Sequence, residues 1–365
     1  MRLDRLALSG FRNYDRQDVA FQDGVNILVG ENAQGKTNIL EAIFLLTGSR
    51  SWRAARRSEL IRIGSENARI EAEIFSRERP FEINMALPPV GRGVTTVNGV
   101  RIKKQNQLSD VLRCVLFAPE DLSLLRDGAA ARRRFLDTAL CQLRPRYAEL
   151  LSEYQRLIEH KTRLLRDEEK RESMLAVLPD FNERIAVIGS AVIGYRARFT
   201  DLLVPVCQSV YKDISGGREQ LSMRYSTLST IEDPTAPQEK LITAFFQHLD
   251  SHYEAELRLG QCLSGPHKDD LILEIDGKPC RSFASQGQTR SAALAMKFAE
   301  RELFFRDSGE YPVLLLDDVL SELDVRRQSY VVEHTPGGQA IITCCEDTGR
   351  FQSGHRLFVE NGKVW

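Results

Sequence analysis

The run Gly30-Glu31-Asn32-Ala33-Gln34-Gly35-Lys36-Thr37 satisfies G-x-x-x-x-G-K-[ST], and nothing else in the chain constrains its fold as sharply. Glycines at this spacing let the backbone curl until successive N–H groups converge on one point, and the positive end of a following helix adds to the same field. The arrangement needs a strand before it and a helix after it. Val25-Asn26-Ile27-Leu28-Val29 is an apolar run of strand length, and a helical apolar pattern runs from Lys36 to about Leu46, where Thr47-Gly48 stops it. A ring of N–H donors of this kind fits a phosphate group. Glu31, Asn32, Ala33 and Gln34 carry the cradle between Gly30 and Gly35. Lys36 is expected to reach the β- and γ-phosphates, and the Thr37 hydroxyl to hold Mg²⁺. The motif predicts a nucleoside triphosphate site.

Its natural complement lies far downstream, in Val313-Leu314-Leu315-Leu316-Asp317-Asp318. A buried strand of this kind delivers a carboxylate at its C-terminal end, where open α/β sheets bind ligands. Asp317 is expected to hold the Mg²⁺ shell, and Asp318 to act as general base on the attacking water.

Strand patterns crowd both ends of the chain: Leu3–Leu8 alternates, and Gln339–Thr343 is a further apolar run. Hairpin signals stand at Asn98-Gly99 and at Asp276-Gly277, the latter between Leu271–Ile275 and Cys280–Phe283. The middle differs. From Tyr147 to about Lys170, and again after Pro179 through Ile185, Ile188, Val192 and Phe199, apolar residues recur at three- and four-residue steps. This predicts a pair of helices packed side by side, and Ser226–Glu239 reads as a loop. The expected fold class is α/β, strand-rich at both ends, with a helical insertion of about 130 residues between them.

Composition narrows the class. With 365 residues, 42% hydrophobic and 28% charged, the chain can bury a large core and is neither disordered nor low-complexity. Its longest apolar stretch, Ile185–Ile193, is well short of a bilayer span, and Met1-Arg2-Leu3-Asp4-Arg5 is no signal peptide, so a cytoplasmic protein is expected, without a membrane partner. Seven cysteines form no CxxC pair, so they read as reduced thiols with no structural metal, and Cys344-Cys345 as small core residues. The net charge is −1, so any polyanion must meet a local basic face.

Ala284-Ser285-Gln286-Gly287-Gln288-Thr289-Arg290 is, by its residues, a polar stretch suited to capping a helix over Thr289–Phe305. It also resembles the LSGGQ signature of the ATP-binding-cassette superfamily, with Ser285, Gly287 and Gln288 at the matching places. Ser321-Glu322-Leu323-Asp324 is similar to that superfamily's D-loop. A nearer resemblance, from residue 3 to about 345, is to the RecF family of bacterial recombination mediators, relatives of the SMC proteins. It rests on Gly10-Phe11-Arg12-Asn13-Tyr14, on Phe117-Ala118-Pro119-Glu120-Asp121-Leu122 and on Arg133-Arg134-Phe135-Leu136-Asp137. Ser264-Gly265-Pro266-His267-Lys268-Asp269-Asp270 and the two nucleotide motifs complete it, all in family order.

This resemblance implies a phosphate-loop head like that of the ATP-binding-cassette ATPases, a mixed sheet with flanking helices assembled from residues 1–120 and 260–365. With it come a mainly helical arm of residues 121–259 inserted into that head, and an ATP-dependent homodimer with two ATP molecules between its heads. Lys36 and Asp317 of one subunit would then face Ser285, Gly287 and Gln288 of the other. It implies Arg12 and Asn13 at the nucleotide and ATP and Mg²⁺ as cofactors. It further implies binding to double-stranded DNA near single-strand gaps, and a role with RecO and RecR in loading RecA, in repair, replication restart and the SOS response. Cassette ATPases place Glu where Asp318 stands, although Asp is usual in RecF. The carboxylate is withdrawn by about 1.5 Å, and a switch His is missing after Ile341-Ile342-Thr343-Cys344. Misplacement of that order costs about a hundredfold, so weak, DNA-stimulated ATP hydrolysis is expected.

Candidate DNA contacts are Arg50, Arg53, Arg56 and Arg57, around Trp52, and Arg132 and Arg133 ahead of the arm, with Arg101, Lys103 and Lys104 behind them. Each cluster reads equally as a solvated face, and Trp52 as a stacking or a packing residue. His267-Lys268-Asp269-Asp270 reads either as a hairpin's structural polar network or as part of a site. A transporter ATPase subunit would share the nucleotide motifs, but not the long stretch between Lys36 and Asp317. An SMC-type tether would need a longer arm, and the signature disfavours a small-molecule kinase.

Overall fold

The structure is a computed structural model that describes residues 1–166, 171–346, 349 and 351–365, side chains of 171–176 excepted. It divides into two compact units: Met1–Ser123 with Asp213–Gly217 and Arg290–Trp365, and Leu124–Lys212 with Arg218–Thr289. Residues 260–289, placed with the head above, cluster in the second unit because the strand Asp270–Ile275 pairs there with Leu221–Ser226.

In the first unit the alternating start forms β1 (Arg2–Phe11), which buries Leu3, Leu6 and Leu8, and β2 (Tyr14–Ala20) returns beside it. β3 (Val25–Val29) enters the phosphate loop, and α1 (Lys36–Leu45) leaves it. Then come β4 (Ala68–Ser76), β5 (Arg79–Leu87), β6 (Val94–Val97) and β7 (Val100–Arg101), which join the first two strands in an antiparallel sheet ordered β2-β1-β4-β5-β6-β7. Asn98 and Gly99 both take positive φ (51° and 76°), the two-residue turn expected of that dipeptide.

The second sheet of this unit takes its strands from widely separated segments. β8 (Cys114–Phe117) pairs in parallel with the strand Val313–Asp317, which pairs with Ala340–Cys344, which pairs with β3. These three segments are almost wholly buried, as parallel strands covered on both faces must be. One hydrophobic cluster contains Leu6 and Ile70 of the antiparallel sheet, Ile39 and Ile43 of α1, and Leu315 and Ile341 of the parallel one. Each fully buried side chain of this kind contributes about 1.5–3 kcal/mol. With Ile39 through Leu45 all buried, α1 anchors the loop at its N-terminus.

The second unit holds α2 (Ala129–Leu143), α3 (Pro145–Arg166) and most of α4 (Arg171–Ser215), then β9 (Leu221–Ser226), α5 (Gln238–Ser251) and α6 (Tyr253–Leu259). β10 (Asp270–Ile275) and the short β11 (Lys278–Pro279) complete its sheet, ordered β11-β10-β9. The expected end of the first helix, at Lys170, lies outside the described residues.

Two local expectations are corrected. Asp276-Gly277 does turn a hairpin, but Cys280–Phe283 is a helical turn, α7, rather than its second strand. Pro279 has no N–H with which to extend the ladder. Pro179 does not begin the second helix but lies inside α4. Leu178, Asn182, Ile185 and Ile188, all buried, carry one face across it and offset a cost of about 3 kcal/mol.

The remaining elements are α8 (Gln286–Ser308), β12 (Val313–Asp317), α9 (Val325–His334), β13 (Ala340–Cys344), β14 (His355–Glu360) and β15 (Lys363–Val364). β14 runs parallel to β3 on its other side, and β15 pairs back on β14, giving the order β15-β14-β3-β13-β12-β8.

Candidate functional site

The parallel sheet brings the C-terminal ends of β3, β12 and β13 together, and the chemistry collects there. Along the loop, Ala33 and Gly35 take positive φ (64° and 119°). A Cβ on Gly35 would lie 2.7 Å from the Asn13 amide nitrogen and the Tyr14 hydroxyl, so only glycine fits. The Lys36 ammonium, almost fully enclosed, donates to the carbonyls of Gly30 (2.5 Å) and Glu31 (2.8 Å).

Thr37 Oγ1 donates to Asp317 Oδ1 at 2.7 Å, and Thr343 Oγ1 donates to the same oxygen at 3.0 Å. The Thr343 hydroxyl also accepts the Asp318 N–H at 2.8 Å. Asp318 stands at φ 51°, with its carbonyl capped by Ser321 Oγ at 2.7 Å. Burial pushes the Asp317 carboxyl above its ordinary value, the two threonine hydroxyls and Arg53 pull it back, and Glu120, in the turn after β8, pushes it up again. A hydroxyl and a carboxylate oxygen in contact form a hard oxygen pair suited to Mg²⁺, and the loop amides with Lys36 suit phosphate. The donor set fits both groups.

Arg12 stands in the turn between β1 and β2, beside Asn13. Its Nε and Nη2 hold both oxygens of the buried Glu41 on α1 at 2.7 Å, and Nη1 donates to the Glu59 carbonyl at 2.8 Å. The guanidinium therefore ties the β1–β2 turn to α1. Asn13 contacts the loop itself, donating to the Gln34 carbonyl at 2.9 Å and accepting from Asn38 Nδ2 at 2.8 Å.

Cys344 and Cys345 are not core residues. Both are half-buried at the end of β13, and Cys345 Sγ lies 3.1 Å from Asn32 Oδ1 and 4.0 Å from Asp318 Oδ2. The strand's apolar pattern ends at Ile342, and the residues beyond it reach the rim of the sheet.

Ser285 and Gln288 form a reciprocal cap on α8. The Ser285 N–H donates to Gln288 Oε1 at 2.8 Å and the Gln288 N–H to Ser285 Oγ at 3.2 Å. Ser285 stays exposed, with the partly buried Gly287 in the first turn of α8. Asp324 caps α9 through the Arg327 N–H at 3.0 Å.

Arg50, Arg53, Arg56 and Arg57 are exposed. Arg53 donates to Asn38 Oδ1 at 2.9 Å and Arg57 to the Gly91 carbonyl at 3.0 Å, which adds the exposed Arg92 to the patch. Trp52, partly buried, packs edge-on against Phe44 (centroids 5.6 Å apart). Arg132 is corrected: only 4% exposed, it grips both oxygens of Asp270 and the Asp127 carbonyl. Arg133 is half-buried on the Asp269 carbonyl at 2.6 Å, and burial and then Arg196 lower its pKa.

His267-Lys268-Asp269-Asp270 is a structural network apart from the exposed Lys268. His267 meets the Tyr154 hydroxyl at 2.6 Å. Asp269 accepts from Tyr225 and Thr227 and lies 3.7 Å from Arg196. The sequence reading missed Glu41, Glu120 and the contacts of Asn361 and Gly362 with Gln34. The only signal for the last pair is a turn dipeptide, which is silent about what the turn touches.

The family model described as RecF/RecN/SMC N terminal domain matches residues 2–358. A protein of Agathobacter rectalis described as DNA replication and repair protein RecF is 38% identical over 100% of this chain and 99% of its own. Its Bacillus subtilis counterpart is 36% identical over 93% and 91%. A solved structure of the recombination mediator protein RecF with ATPrS, in the RecFOR pathway, superimposes with a TM-score of 0.92 at 29% identity, covering 100% of this chain and 97% of that one. The Smc head domain of Pyrococcus furiosus, with its extended coiled coil and bound to the C-terminal domain of ScpA, shares the fold (TM-score 0.55, 19% identity, 99% and 94% covered).

Proposed function

This chain belongs to the RecF family, and from that premise we propose that it is an ATP-dependent DNA-binding protein of recombinational repair and replication. The observation that carries the reading is the Thr37–Asp317 contact at the mouth of the phosphate loop. It completes a site for a nucleoside triphosphate and Mg²⁺ in a chain whose relatives are described as RecF.

In this reading the loop amides and Lys36 bind the phosphates of ATP, Lys36 exchanging its two carbonyls for phosphate oxygens. Thr37 and Asp317 hold Mg²⁺, which neutralises charge on the phosphates when bound. Thr343 fixes the Asp317 oxygen and the Asp318 backbone, and Asp318 orients and deprotonates the attacking water. Hydrolysis is slow, because the Asp318 carboxylate reaches less far than the Glu of other cassette ATPases. The exposed cap of α8, with Ser285, Gly287 and Gln288, serves the nucleotide of a second copy, so ATP closes a homodimer of C₂ symmetry. By linkage, DNA that binds the closed dimer tightens ATP in return.

DNA is met by Arg50, Arg53, Arg56, Arg57 and Arg92, a patch suited to backbone phosphates. The DNA is duplex near a single-strand gap, where the protein acts with RecO and RecR in loading RecA and supports the SOS response. Among the described residues no helix is long and apolar enough to cross a membrane, and the work is assigned to the cytoplasm.

Anisotropy of a labelled gapped duplex, titrated with ATP, with ADP and without nucleotide, tests the reading. Tight binding only with ATP, absent in Lys36→Met, is the expected result. Equal or absent binding in all three conditions would overturn it.

A further inference from the structure

The phosphate loop is held at one further point, by the hairpin of β14 and β15. Asn361 and Gly362 take φ 49° and 70°, which turns two successive N–H groups to the same side. The Asn361 N–H donates to Gln34 Oε1 at 2.6 Å, and the Gly362 N–H to the Gln34 carbonyl at 3.3 Å. That carbonyl is the one that also accepts from Asn13. Gln34 is thus held by its side chain and its backbone, although the loop motif leaves its identity open.

No slack separates hairpin and loop. A Cβ on Gly30 would lie 2.1 Å from the Val359 carbonyl, and one on Gly362 would lie 2.9 Å from the Asn13 carbonyl. β14 also pairs in register with β3, Phe358 opposite Val29, so the strand that delivers the loop and the strand that carries the brace move together. A cradle of converging N–H dipoles repels itself until an anion arrives. A scaffold that holds its carbonyls in place therefore reduces what the ligand must order on binding.

We propose that the β14–β15 turn is a brace of the phosphate loop, and that Gln34, gripped by Asn361 and Gly362, is a positioning residue that sets nucleotide affinity. The inference rests on the nucleotide reading above. Gln34 is partly exposed, so Gln34→Ala leaves the core intact while removing one of the two grips. Gly362→Ala drives a methyl towards Asn13. Asn361→Gly keeps both the N–H and the left-handed turn.

The experiment is titration of a fluorescent ADP analogue, with the thermal midpoint of each nucleotide-free protein measured alongside. Gln34→Ala and Gly362→Ala are expected to weaken binding about fivefold, the worth of one hydrogen bond. The Gln34→Ala midpoint stays within about 1 °C, less than a 1 kcal/mol change gives in a chain of this length, and Asn361→Gly stays within about twofold of wild type in affinity. Affinity unchanged in Gln34→Ala, with Lys36→Met defective, would overturn the brace while leaving the nucleotide site standing. A wild-type protein that binds no nucleotide would instead overturn the site. Should Gly362→Ala unfold, Gln34→Ala alone decides.

Discussion

Thr37 Oγ1 and Asp317 Oδ1 stand 2.7 Å apart although 280 positions separate them in the chain. β13 lies between β3, which leads into the loop, and β12, which ends in Asp317, and its Thr343 donates to the same oxygen at 3.0 Å. The first turn of α1 and the ends of β12 and β13 therefore converge on one carboxylate. Asp317→Asn keeps the shape but loses the charge proposed to hold Mg²⁺. ATP hydrolysis should fall about a hundredfold while nucleotide binding without Mg²⁺ matches wild type, which steady-state turnover and a Mg²⁺-free titration will check.

Thr343→Val removes the hydroxyl that orients Asp317 and leaves the Asp318 N–H without its side-chain acceptor. One lost hydrogen bond to a charged group should lower kcat about tenfold and leave ATP affinity within about twofold. A drop confined to KM would contradict the role given to Thr343.

Asp318→Asn removes the proposed base and should lower kcat about a hundredfold without weakening ATP. The wild-type rate itself should lie below about 10 s⁻¹, the enzyme median. Single-turnover hydrolysis measures both, and a faster wild type would show that the shorter carboxylate does not limit the reaction.

Two arginine clusters that look alike in the sequence should behave oppositely. Arg56→Glu with Arg57→Glu lies on exposed surface and should weaken duplex binding and flatten its salt dependence, with folding unchanged. Arg132→Gln leaves Asp270 without its buried partner and should destabilise by about 3–5 kcal/mol, read as an earlier urea midpoint.

Burial in the second unit lowers the His267 pKa from 6.5 to about 4, with Lys268 and Arg133 adding to the effect and the Cys262 carbonyl opposing it. Between those values the unfolded chain binds a proton that the folded chain refuses. Stability should therefore fall as pH drops from 6.5 towards 4, by up to about 3 kcal/mol. Urea unfolding of wild type and His267→Gln across this range checks the sign: the variant should lose less stability on acidification.

The sequence by itself determined the phosphate loop, the strand ending in Asp317, the strand-rich ends and helical middle, and the family. Each is a local matter, since glycine spacing, apolar period and turn dipeptides fix the backbone within a few residues. Only the tertiary structure decided which neighbours those residues meet. It turned Arg132 inward to Asp270 and Arg12 onto Glu41, and it put Cys345 on the rim beside Asn32. It also set the Asn361-Gly362 turn against Gln34. An arginine's sequence looks the same whether its guanidinium meets water or a buried carboxylate. Burial and partner decide its chemistry, and both come from segments that chain order leaves far apart.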